Sequence, residues 1–483
     1  MAMTYLKALR EDAPLLDAYL SYFEVARTPF TIPGHKQRAS KIDLGLGKVV
    51  DGDTPLYGGL DEIKLTNQTL KSAESLAAKL WGGDYARFST GGSTHVNQAV
   101  ILALGKPGDK IAVARTAHRS VLSALVLAGL EPIWLAPEID LATGVPTGIP
   151  LSELERVIPQ NPIALLLTEP GYLGTISQLP ELISKAHEHK IPVIIDAAWG
   201  AHFGFQKDLP KHVMQLGADA LITSTHKALP GYSASALLVA RGEFLNLDRL
   251  EQSFETTHTT SPAGAPLASI DGCRALLQTR GDELLTDLIS NVKNFKAEIS
   301  EHFDRAIFLS PADFATGRFD PVKLVLRANQ LGTSGVTIEN ELLKANIRVE
   351  MADRDTVVFL ATLADDAESF AQLRNVLLPI LQKLVSAPRE SATALSWSVV
   401  PQIGISMRDA YFADTEMVTS DSAHGRISAD LIAPYPPGVA VVAPGEVLTE
   451  AILTGLAANK AAGVRIAYAT DPTLQSYRVV KLS

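Results

Sequence analysis

Four short runs of residues carry groups whose types and spacing can do chemistry. The first is Ser224-Thr-His-Lys227, directly after the apolar run 219–223. A lysine at the end of a strand can condense with an aldehyde once its pKa is lowered; the plain alternative is a solvated surface lysine. The second is Ile194-Ile-Asp196-Ala-Ala198-Trp199-Gly-Ala-His202. Its carboxylate ends an apolar run, and a buried carboxylate needs a cationic partner or a capping role. The third is Ser89-Thr-Gly-Gly-Ser93-Thr94-His-Val-Asn97, which opens a helical stretch. Glycines with hydroxyl residues at a helix start offer N–H and O–H donors to an anion, phosphate above all, or else simply cap the helix. The run fits neither the dinucleotide fingerprint nor the P-loop. The fourth is Ala114-Arg-Thr-Ala-His118-Arg-Ser120, where an imidazole can stack on a planar cofactor or sit as a partly buried loop residue.

Each run has a bland explanation alone. Together they supply a phosphate anchor, a ring stacker, a carboxylate for a protonated ring nitrogen and a Schiff-base lysine. A protonated pyridine nitrogen held by an Asp or Arg is the arrangement of pyridoxal phosphate (PLP) sites. The histidines at 118, 202, 226 and 258 match no short zinc signature, so no metal is expected.

The elements that must position these groups alternate from about residue 66 to 240. Helical stretches (70–80, 96–104, 121–130, 179–189) separate apolar runs of strand length (110–114, 163–168, 193–196, 221–223, 236–240). That order predicts βαβ units and a mostly parallel sheet covered on both faces. Ligands in such sheets bind beyond the carboxyl ends of strands, where all four runs fall. A long helical stretch follows at 281–303. Turn residues at Ser310-Pro311 and Thr316-Gly317 break the pattern, and strands at 322–327, 347–350 and 356–360 predict a smaller α+β domain. The run 433–446 is dense in proline and glycine, which predicts a rigid loop rather than a helix or central strand.

The chain has 483 residues, room for about three domains of roughly 150 residues. With 43 basic against 53 acidic residues the net charge is −10, which argues against a protein that tracks nucleic acid. The single cysteine, Cys273, excludes an internal disulfide and any multi-cysteine metal site, and fits a reducing compartment. The first residues lack an apolar signal core, and the longest apolar run, 121–130, is well short of the ~20 residues that span a bilayer. A cytoplasmic protein without membrane or nucleic-acid partners is expected.

Several motifs combine into a resemblance. They are Phe30-Thr-Ile-Pro-Gly-His-Lys36, Gly92-Ser-Thr94 with Asn97, Pro107-Gly-Asp109, Ala117-His-Arg-Ser120, Asp196-Ala-Ala-Trp-Gly-Ala-His202, Ser224-Thr-His-Lys227, His258-Thr-Thr-Ser-Pro262, Gly425-Arg-Ile-Ser-Ala429 and Pro434-Tyr-Pro-Pro-Gly438 followed by Pro444-Gly-Glu446. Over nearly its whole length the chain resembles the Orn/Lys/Arg decarboxylase family, in a short form without the N-terminal wing domain. The resemblance implies an α/β fold-type I PLP enzyme with a large, mostly parallel seven-stranded-type sheet domain and a smaller C-terminal α+β domain. It divides the chain into an arm (1–60), a PLP-binding domain (61–310) and a small domain (311–483).

The resemblance also implies roles. Lys227 carries the cofactor, with His226 beside it. Asp196 pairs with the ring nitrogen, His118 stacks on one ring face and Ala198 packs on the other. Ser93, Thr94 and Ser224 hold the phosphate, and Thr259 reaches the neighbouring subunit's phosphate. Glu446 meets the substrate's distal cation, and Trp199 lies near the substrate mouth. Ala197 and Trp199 depart from the common Asp-Glu-Ala-His-Gly pattern, and Gly231-Tyr-Ser-Ala234 replaces the usual Ser-Gln or Thr-Gln pair. The implied reaction is decarboxylation of lysine, ornithine or arginine toward a di- or polyamine precursor. Aminotransferase or oxidase chemistry on a cationic amino acid is the alternative. The implied assembly is a homodimer or a dimer of dimers with active sites at the subunit interface.

Overall fold

The structure is a computed structural model that describes residues 8–24, 52–54, 68–391, 399, 402–435, 439–461 and 464–481. The Phe30–Lys36 motif, most of the expected arm and residues 436–438 lie outside the described residues. Seven strands make the large sheet, and the chain divides into two compact units.

The first unit comprises Met1–Ala103 and Asp196–Leu285. Its strands pair in the order Tyr85–Ser89, Ala236–Ala240, Ala220–Ser224. The middle strand runs antiparallel to both neighbours, so here the parallel pattern expected from βαβ alternation is broken. Ser89 and Ser224 both stand opposite Ala236, which brings the two strands' carboxyl ends to one level. Val, Leu, Ile and Ala make up Ala236–Ala240 and the first three residues of Ala220–Ser224, and every residue of both is buried, as a sheet covered on both faces requires.

The strand Tyr85–Ser89 is not visible as an apolar run because Arg87 stands at its centre. Arg87 is buried by company: its guanidinium pairs with Glu74 at 3.1 Å, Glu251 at 2.5 Å and Glu255 at 2.5 Å, and lies 4.4 Å from the centre of the Phe254 ring. Such a group is tolerated inside only when its donors are met. After this strand the chain turns at Gly92, whose φ of +69° lies in the left-handed region glycine reaches freely, and starts the helix Gly92–Leu104. The helix Leu247–Thr257 is capped by Asn246, which accepts from the Arg249 N–H at 2.9 Å.

The second unit comprises Leu104–Ile195 and Thr286–Ser483. Lys110–Ala114 pairs in parallel with Glu131–Leu135 on one side and with Leu165–Thr168 on the other. Glu131–Leu135 also escapes a search for apolar runs, since it opens Glu-Pro. It ends the order of strands, where a residue without an N–H costs little. Further on, Leu324–Arg327, Thr356–Phe359 and Met351–Ala352 form a three-stranded antiparallel sheet. The strand expected at 347–350 begins instead at Met351. Asn346 takes a positive φ of 59° at the end of the preceding helix, Arg348 and Glu350 stay exposed, and pairing starts where Met351 meets Val358. The proline-dense run opens with a short strand, Ala433–Tyr435, in a two-stranded ribbon with Arg465–Ala467, and Pro434 stands opposite Ile466. Among the described residues no helix is long and apolar enough to cross a membrane.

Candidate active site

Within the first unit, two strand ends deliver the groups that sequence motifs single out. Asp196 ends Val193–Asp196 and is 2% exposed. Its Oδ2 accepts from Asn97 Nδ2 at 2.9 Å, and its Oδ1 accepts from the Ala198 N–H at 3.2 Å. The carboxylate is therefore oriented from two sides, and Asn97, which the motifs include without a role, is one of its holders. Lys227 follows Ala220–Ser224 in a closed loop. The Thr225 N–H donates to Ser235 O at 3.1 Å, and the Gly231 N–H donates to Thr225 O at 2.8 Å. His226 Nδ1 lies 2.9 Å from Ser235 O, an acceptor only, so Nδ1 donates a hydrogen there. Lys227 Nζ stands 4.4 Å from the centre of the Trp199 ring, a cation–π distance.

Ser93 in the turn of the loop meets Ser224 Oγ to Oγ at 2.8 Å, so two hydroxyls expected to share an anion are already neighbours. Thr94 is exposed beside them, Ala198 is buried, and Thr259 is exposed with its Oγ1 accepting from the Ser261 N–H at 3.2 Å.

Behind the loop lies a layer that motif reading misses: His95, Phe254, His258 and Arg87. The His95 and His258 ring centres are 4.8 Å apart. Burial, with Arg87 near both and each ring near the other, pushes His258 down to about 4, and burial with Arg87 does the same to His95. Burial pushes the neighbouring Glu74 carboxyl up to about 7 despite Arg87. The one sequence signal was the place of His95 inside the Ser89–Asn97 run and of His258 just before Thr259.

In the second unit, His118 caps the helix Arg119–Ala128. Its Nδ1 accepts from the Ser120 N–H at 3.3 Å and lies 2.8 Å from Ser120 Oγ, while the ring is exposed. Glu446, expected to meet a substrate's distal cation, already has a partner within the chain. It is 1% exposed, and its Oε1 and Oε2 accept from Arg115 Nη1 at 2.7 Å and Nη2 at 2.9 Å. The Ala443 N–H donates to Oε2 at 2.8 Å. A bidentate guanidinium thus already neutralises the charge intended for a substrate's distal cation. Arg115, in turn, lies 4.6 Å from the Trp134 ring centre. Among the described residues no group of three or more His, Cys, Asp or Glu is placed to hold a metal ion.

Comparison with known proteins gives the family. A family model described as the Orn/Lys/Arg decarboxylase major domain matches residues 13–314, and one described as the C-terminal domain matches residues 396–464. The arginine decarboxylase of Bacillus anthracis is 31% identical over 486 residues, covering 97% of each chain. That of Bacillus subtilis (strain 168) is 30% identical, covering 98% of each. The crystal structure of the Francisella novicida lysine decarboxylase LdcF aligns with a TM-score of 0.83 at 20% identity, over 97% of this chain and 81% of that one. The fold is accordingly the α/β fold of type I PLP enzymes, and the chain belongs to the Orn/Lys/Arg decarboxylase family.

Proposed function

We propose that the chain removes the α-carboxylate of a basic L-amino acid as CO2, with PLP as cofactor. The observation that carries this reading is the first unit's set of Lys227, Asp196 oriented by Asn97, and the Ser93–Ser224 hydroxyl pair. The donor chemistry fits the cofactor: an amine for its aldehyde, a buried carboxylate for its ring nitrogen, and hydroxyls at a helix start for its phosphate. The glycine turn is packed closely from behind, since a Cβ on Gly91 would come within 2.8 Å of His95 Cβ.

When bound, PLP supplies the electron sink that a breaking Cα–carboxylate bond needs. This chain's residues do the rest. Lys227 Nζ would hold the cofactor through its aldehyde. Asp196 would pair with the ring nitrogen and keep it protonated. Ser93, Thr94 and Ser224 would hold the phosphate, Ala198 and His118 would pack against the ring, and the family motif assigns Thr259 a contact to a partner subunit's phosphate. Lys227 Nζ or His226 would supply the proton that takes the place of the departing carboxylate on Cα. Trp199 lines the approach to Lys227. Glu446 is assigned to its ion pair, which leaves the distal cation's partner unassigned.

Relatives named arginine decarboxylase match over 97–98% of this chain, whereas one named lysine decarboxylase, from Hafnia alvei, matches over 79%, so arginine is the first substrate to test. Di- or polyamine supply, a homodimer with shared sites, a cytoplasmic location and the domain limits near 60 and 310 belong to this reading. The Lys227→Ala variant tests it. Turnover and borohydride trapping of PLP should both vanish, while Asp196→Ala should bind PLP weakly and lose several orders of magnitude in kcat. Turnover retained in Lys227→Ala would overturn the assignment.

A further inference from the structure

The loop that carries Ser93 is held from behind by a directed chain of hydrogen bonds. The Gly91 N–H donates to Ser89 Oγ at 3.1 Å. Ser89 Oγ lies 2.8 Å from His95 Nδ1, and His95 Nε2 lies 3.0 Å from Thr257 Oγ1 and 3.3 Å from Phe254 O. Thr257 donates its own hydroxyl proton to Ser253 O at 2.9 Å. The directions follow from the end groups. Thr257 Oγ1 and Phe254 O can only accept from the imidazole, so Nε2 carries the hydrogen and Nδ1 must accept. Ser89 therefore gives its proton to His95 and accepts from Gly91. One tautomer satisfies every member, and all of them lie in the first unit. A second imidazole, His258, accepts the neighbouring Thr90 N–H through Nε2 at 3.4 Å.

We propose that His95 is a positioning residue for phosphate binding, acting through Ser89 and Gly91 to hold the loop in the shape that presents Ser93 and the loop's N–H groups to the phosphate of the cofactor. The proposal rests on the PLP reading above. A packed ring without the Ser89 bond would leave a buried hydroxyl proton unmet and free the Gly91 turn to relax. The effect should reach the phosphate and spare the aldehyde end of the ligand.

The test uses the apoprotein and two probes, PLP and pyridoxal, which lacks the phosphate. His95→Asn places a carbonyl oxygen close to the Nδ1 position and keeps an acceptor for Ser89. His95→Gln reaches Thr257 but leaves Ser89 without one. Ser89→Ala breaks the same link from the other side. His95→Gln and Ser89→Ala should each weaken PLP binding by about tenfold, the effect of one lost buried hydrogen bond, with pyridoxal binding unchanged. His95→Asn should stay within about threefold of wild type, and the Ser89→Ala/His95→Gln double variant should lose no more than either single one. The inference is overturned if His95→Gln binds PLP better than His95→Asn, as a role in packing volume requires. It is also overturned if PLP and pyridoxal weaken together, or if Ser89→Ala binds PLP like wild type. Wild-type apoprotein that takes up no PLP would instead overturn the cofactor reading itself.

Discussion

The pair Arg115–Glu446 is buried on both sides, 4% and 2% exposed at the side chains, and joins positions 331 apart in the chain. Removing one partner of such a pair leaves a buried charge unmet, a loss of about 3–5 kcal/mol. Glu446→Ala should therefore lower the thermal midpoint by many degrees, readable by circular dichroism. A variant with wild-type stability and only a raised KM for substrate would return Glu446 to the distal cation. Nothing local in the sequence names this partner: a glutamate in a proline-rich loop reads as available until the fold supplies Arg115. Asp196 and Lys227 were legible because their signal is local, an apolar run ending in one polar group. Glu169 adds a pH prediction. Burial pushes its carboxyl up to about 7, although the Ser177 N–H and hydroxyl both donate to it. The folded protein then binds this proton more tightly than the unfolded chain, so between pH of about 4.5 and 7 the group's contribution falls as pH rises. Glu169→Gln removes that fall. The midpoint of the variant relative to wild type should rise between pH 5 and pH 8, and a constant difference would contradict the shift.

At the scale of elements, the loop 225–235 sets where Lys227 stands. Gly231 is pressed against its base, and a Cβ there would meet Thr225 O at 2.5 Å and Ser235 Oγ at 2.9 Å. The contact is with backbone, so it is not relieved by a rotamer change. Gly231→Ala should shift the Thr225 carbonyl and the His226–Lys227 backbone behind it. The expected outcome is a loss of kcat of about tenfold or more, with the fold retained by circular dichroism, since small misplacements of catalytic groups are costly. Wild-type kcat would show that the loop tolerates displacement. The helices expected between 70 and 189 and the central apolar strands were legible from period and composition, whereas the helix expected at 281–303 begins at Gly264 and Leu247–Thr257 was not expected as a helix. The two end strands were not, because Arg87 and Pro132 interrupt their patterns, and their burial depends on Glu74, Glu251, Glu255 and Phe254 in one case and on position at the end of the order in the other. The antiparallel strand Ala236–Ala240 was expected as a strand, but strand direction is not written in an apolar run.

For the whole molecule, a net charge of −10 is spread over 483 residues, and the chemistry is carried by a few groups at strand ends. Fold class and family were legible because the motifs are distributed along nearly the full chain. Substrate choice was not, since it turns on which group meets the distal cation, and the one carboxylate offered by motif is taken by Arg115. The activity proposed for this chain is PLP-dependent decarboxylation of a basic amino acid. The most direct measurement supplies PLP-loaded protein with L-arginine, L-lysine and L-ornithine in turn, and quantifies released CO2 together with the amine product. The expected result is CO2 and the matching amine in equal amounts from at least one of the three, arginine tested first, and neither product from Lys227→Ala. A keto acid or peroxide in place of CO2, or no product from any of the three with PLP bound, would contradict it.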